Sequence, residues 1–121
     1  MKRVLVIEDN DDNMELITFI LEANDYRSIK AETGQKGVTL ALEVQPDFII
    51  LDIQLPDISG TEVLKRIRAS GIGGGIPIIA MTSYAMAGDR EKLLAAGCDG
   101  YIEKPIDPAT VMTQIEQVLV S

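Results

Sequence analysis

The sequence has no histidine, no tryptophan, a single cysteine and only 4% aromatic residues among its 121 positions. Without histidine there is no imidazole general base, no ordinary zinc site and no phosphohistidine carried by the chain itself. Cys98 alone cannot form an intramolecular disulfide, so a reducing compartment is expected, and the thiol reads as a small buried hydrophobe. With so few aromatics the core has to be built from Ile, Leu, Val, Ala and Met. Cations are scarce too: 11 Lys and Arg face 19 Asp and Glu, a formal net charge of -8. That argues against a nucleic-acid or anionic-membrane surface, because both need basic patches to replace counterions. No apolar run approaches the ~20 residues of a membrane helix. The opening MKRVLVIEDN meets acids after a short apolar run, unlike a signal peptide. A soluble, cytoplasmic protein is expected, with no nucleic acid or membrane as partner.

Hydrophobic residues make up 46% and charged residues 25%, the balance of one globular domain over residues 1–121. Apolar runs of strand length alternate with stretches of helical period. Val4 to Ile7 is a β-branched run that stops at acids. Met14, Ile17 and Leu21 repeat at three and four, and mark a helix. Tyr26 to Ala31 is a weaker, more polar strand suited to a sheet edge. Thr33 can cap a helix from about Gln35 to Val44, ended by Pro46. Phe48 to Leu51 is a second wholly apolar strand and stops at Asp52. Val63, Leu64 and Ile67 mark a third helix, and the glycines of positions 71–75 predict a flexible connection. Pro77 to Met81 ends at Thr82. A helix from about Ala87 to Ala96 closes at Gly97, and Tyr101-Ile102 is a short last strand. Asp107 and Pro108 supply an N-cap and first-turn proline for a final helix, in which Met112, Ile115 and Leu119 line one face.

Five strands alternating strictly with five helices predict an α/β fold: a doubly wound, five-stranded parallel sheet, order 2-1-3-4-5, with helices on both faces. Ligands of such sheets bind at the carboxyl ends of the strands, near the reversal of strand order. Reading those ends places Glu8 and Asp9 after the first strand, Asp52 after the third, Thr82 after the fourth and Lys104 beyond the fifth. Carboxylates so gathered repel, by on the order of 4 kcal/mol per pair at ~4 Å and an effective dielectric near 20. Either one acid stays protonated or a cation neutralises them. Lys104 offsets part of the charge. Oxygen ligands alone select a hard ion, magnesium before manganese or calcium. An aspartate between two cations is a nucleophile toward phosphorus, since its repulsion of phosphate is removed. Thr82 can donate to the phosphoryl group once attached.

The segments Val4 to Asp9, Ile50 to Asp57 with Gly60, Ala80 to Ser83 and Tyr101 to Pro105 resemble, in order and spacing, the receiver domain of two-component response regulators. Residues 52–60 and 84–89 are further similar to its single-domain members. The resemblance implies that Asp52 is the phosphoacceptor. Asp9 and Asp52 would bind magnesium directly with the backbone carbonyl of Gln54, and Glu8 through water. Lys104 would contact the phosphoryl group, with Pro105 after a cis peptide bond. Thr82 and Tyr101 would form the switch pair, reshaping the surface of the fourth helix, fifth strand and fifth helix for a downstream protein. Gln54 and Tyr84 flank the site and are expected to tune the phosphoryl lifetime.

The donor is expected to be a sensor histidine kinase, a phosphotransfer protein or a small acyl phosphate. The chain ends after its last helix, so output is expected by protein contact or by passing the phosphoryl group on. The competing enzyme reading is a magnesium-dependent phosphohydrolase with an aspartyl-phosphate intermediate. Such enzymes need an acid two residues after the nucleophile, where this chain has Gln54.

Overall fold

The computed structural model describes residues 1–71, 75–83 and 87–120, with the side chains of residues 87–90 left out. Positions 72–74 of the glycine-rich stretch and Tyr84 lie outside the described residues. The elements run β1 Lys2–Ile7, α1 Asp11–Ala23, β2 Tyr26–Ala31, α2 Gly34–Val44, β3 Phe48–Asp52, α3 Gly60–Ala69, β4 Ile78–Thr82, α4 Ala87–Ala95, β5 Gly100–Glu103 and α5 Val111–Leu119. All strand pairs are parallel, and the sheet has the order β2-β1-β3-β4-β5. The strand order reverses between β1 and β3, so Ile7 lies opposite Leu51 and the residues after them meet.

β3 and β4 are buried at every residue, as strands covered on both faces must be. Alternation sends Val4, Val6, Ile50, Ile79 and Met81 to one face, against Ile17 and Leu21 of α1 and Val111 and Ile115 of α5. Leu5, Ile7, Ile49, Leu51, Ile78 and Ala80 face the other way, against Val63, Leu64 and Ile67 of α3, Ala41 of α2 and Leu93 of α4. Polar β2 takes the edge, with only Ala31 fully buried. Among the described residues no helix is long and apolar enough to cross a membrane.

Two helix starts differ from the sequence reading. α1 begins at Asp11, three residues before the Met14 that opens the apolar repeat, and the Asn10 side chain accepts from the Asn13 amide at 2.9 Å. Asp11 and Asp12 then sit at the positive end of the helix dipole. At the other terminus the regular α5 begins at Val111, after a turn that Asp107 organises. The Asp107 carboxylate accepts from the Ala109 amide and its carbonyl accepts from the Val111 amide, both at 2.9 Å. Asp107 therefore caps this turn, four positions ahead of Val111, the first residue of the regular helix.

Candidate functional site

The carboxyl ends of β1 and β3 bring three acids together. Oxygens of Glu8, Asp9 and Asp52 lie within 4.8 Å of one another. Glu8 and Asp52 are buried, at 0% and 2% exposure, and Asp9 is open to solvent. The backbone explains why Glu8 points inward. Its amide still donates to the Ala31 carbonyl of β2 at 2.9 Å, so the strand's alternation continues one residue past Ile7.

Lys104 completes the cluster from the far side of β4. Its amide donates to the Thr82 carbonyl at 2.9 Å, which holds the chain in register beyond β5. The following peptide, Lys104–Pro105, is cis. The ammonium lies 3.1 Å from Asp52 Oδ2, and 3.2 and 3.3 Å from the two Glu8 oxygens. One cation thus serves two buried carboxylates.

The charges do not balance by Lys104 alone. Burial, then hydrogen bonding to and repulsion by Asp52, push the Glu8 carboxyl up to about 7, although an Asn13 hydrogen bond and the Lys104 charge pull the other way. Of the two ways to relieve the crowding, a held proton or a bound cation, Glu8 accounts for the first. A hard divalent cation fits the second. The donors are oxygen only, they come from adjacent strands, and Asp9 opens the cluster to solvent.

The β3–α3 loop wraps the remaining side. The Gln54 amide donates to Asp52 Oδ1 at 3.0 Å, and the Ile53 amide to the Met81 carbonyl at 3.1 Å. At the loop's end the Gly60 amide donates to the Ile53 carbonyl at 2.9 Å. A Cβ at Gly60 would stand 2.5 Å from Ile53 Cα and 2.7 Å from the Asp52 carbonyl oxygen. Only glycine permits that approach.

Thr82 is buried at the end of β4 and follows Met81, the register partner of Asp52. Tyr101 lies opposite Ala80 on β5, half-buried and packed on the core beneath α2, α3 and α4, outside the carboxylate cluster. Gln54 keeps its side chain exposed and meets Asp52 through its backbone amide. The sequence reading counted Gly60 and Asp57 among the residues that carry the resemblance but gave them no role, and it passed over Asn13. Asn13 became visible only once α1 began at Asp11, which puts it in the first helical turn beside Glu8. Asp57 carries no local signal, because its partners lie in α2.

A family model for the response regulator receiver domain matches residues 4–116. The polar-differentiation response regulator DivK of Brucella anthropi is 41% identical over 118 residues, which is 98% of this chain and 96% of that protein. The receiver domain of the Pseudomonas aeruginosa sensor histidine kinase PA1611, solved with magnesium in its active-site cleft, is 33% identical, covers 99% of this chain and 98% of its own, and superposes with a TM-score of 0.89. The chemotaxis response regulator CheY4 of Vibrio cholerae reaches a TM-score of 0.93 with 98% of each chain covered, at 24% identity, and shares the fold.

Proposed function

This chain belongs to the response regulator receiver-domain family, and from that premise we propose that Asp52 accepts a phosphoryl group from a phosphohistidine donor. The observation that carries the reading is Asp52 itself: a buried carboxylate with an amide on one oxygen and an ammonium on the other.

Those contacts prepare Asp52 for attack. The Gln54 amide fixes the carboxylate plane, and Lys104 cancels charge that would repel an incoming phosphate. A carboxylate oxygen forms the new O–P bond while the P–N bond to the donor imidazole breaks, the nitrogen keeping the electron pair and then taking a proton. The Lys104 ammonium lies where charge spreads over the phosphoryl oxygens. Glu8, Asp9, Asp52 and the Gln54 carbonyl are the groups that would hold magnesium, which when bound supplies further charge neutralisation for the phosphoryl oxygens. Thr82, at the end of the neighbouring strand, is the hydroxyl assigned to the attached phosphoryl group, and Tyr101 is its switch partner. The signal is then read as altered affinity for a partner at the α4-β5-α5 surface.

Incubation with acetyl phosphate and magnesium, read by intact mass, tests this. A single base-labile phosphoryl adduct is expected on the native chain, none on Asp52→Asn, and none with excess chelator. An adduct on Asp52→Asn at the native level would overturn the assignment.

A further inference from the structure

The loop that carries Gln54 needs a fixed shape, because its backbone both donates to Asp52 and forms the cluster's rim. Its base is closed by the Gly60 to Ile53 bond. Its outer end is held elsewhere. Asp57, five residues past Asp52, accepts from the Gly34 amide at 2.8 Å and the Gln35 amide at 2.9 Å. These are the first two amides of α2, which have no partner within their helix. Thr33 caps the next free amide, that of Lys36, at 3.1 Å. Packing repeats the message: a Cβ on Gly34 would fall 2.6 Å from Ile58 Cγ1, so the loop lies directly on the backbone of α2's first residue. The two amides hold the Asp57 carboxyl below its ordinary range. Charge-assisted bonds at a helix N-terminus are among the stronger loop restraints.

We infer that Asp57 is a positioning residue, which anchors the β3–α3 loop to the N-terminus of α2 and so sets the Gln54 backbone against Asp52. The loop is thereby tied to two elements, β4 through Ile53 and α2 through Asp57. α2 becomes part of the frame of the site without contributing a group to it. The inference rests on the reading of Asp52 and its neighbours as the reacting and metal-holding groups.

Asp57→Ala separates this role from simple helix capping when set beside Thr33→Ala, which removes a cap from the same helix and leaves the loop's bonds alone. Two readouts are taken: magnesium affinity by calorimetry, and hydrogen exchange of the Gln54 amide in metal-free protein. Asp57→Ala is expected to weaken magnesium about tenfold, at the low end for residues that orient ligands, and to speed Gln54 exchange. Asp57→Asn keeps an acceptor and should fall between, which also serves if the alanine variant folds poorly. Thr33→Ala should lower the denaturation midpoint and move neither readout. Native behaviour of Asp57→Ala in both, or equal changes in Thr33→Ala, would overturn the inference. Absence of magnesium binding by the native chain would instead overturn the functional reading, and the metal-free exchange would still decide the role of Asp57.

Discussion

The Lys104 ammonium lies 3.1 Å from Asp52 Oδ2, with both side chains largely withdrawn from water at 13% and 2% exposure. Asp52 ends β3 and Lys104 follows β5, two strands that are not adjacent, so the contact exists only because Lys104 passes the end of β4, held by the Thr82 carbonyl. An isolated buried pair of this kind adds little net stability, but removing one partner strands the other.

Lys104→Ala is therefore expected to destabilise the metal-free protein by about 3 kcal/mol at pH 8. At pH 5 the loss should be smaller, because Glu8 is then protonated and one fewer charge is stranded. Urea unfolding at the two pH values checks this, and an equal loss at both would contradict it.

Glu8 makes stability depend on pH in a defined direction. Its carboxyl titrates near 7 in the folded chain and near 4.5 when freed, so between these values the folded state binds more protons. Its contribution is fully present below pH 4.5 and is lost as the pH rises through 7, by roughly 3 kcal/mol in total. Denaturation midpoints in chelator should fall across that window for the native chain. Glu8→Gln should lack this component; the same slope in that variant would count against the assignment.

Magnesium has to displace the same proton. Its affinity should rise with pH up to about 7 and then level off, and binding at pH 6 should release protons. Calorimetry in buffers of different ionisation enthalpy measures the release directly. Removal of the metal at pH 8 should lower the melting temperature, since ligand that binds only the folded state stabilises it. Affinity independent of pH between 5 and 8 would sink this prediction.

Gly60→Ala should be costly, because the added methyl meets backbone atoms of Ile53 and Asp52 that cannot rotate away. A loss of about 2 kcal/mol is expected, with reduced acceptance of phosphoryl groups as the Asp52 backbone shifts. Gly75→Ala is the control: none of the described residues lies within 4 Å of a Cβ there, and its unfolding midpoint should be close to native.

The order of elements was readable from local pattern. Period-two and period-3.6 apolar spacing mark strands and helices, the polar character of Tyr26 to Ala31 marks an edge, and Asp52 and Thr82 close wholly apolar runs. Each of these signals lies within a few residues of what it predicts. The start of α1 was less legible, since Asn10 organises its first turn through a short-range bond that apolar spacing does not register, whereas Asp107 was read as a cap and only the regular start of α5 lies further on, at Val111.

By itself, then, the amino-acid order determined the alternating architecture and the polar residues at its strand ends. Folding decided the rest: that Glu8 is the acid whose carboxyl burial pushes up, that Asn13 joins it, that Gly60 must be bare, and that Asp57 caps a helix more than twenty residues away. The physical reason is range. Backbone periodicity acts between near neighbours, whereas desolvation, charge crowding and long-range hydrogen bonds depend on which distant segments the sheet sets side by side.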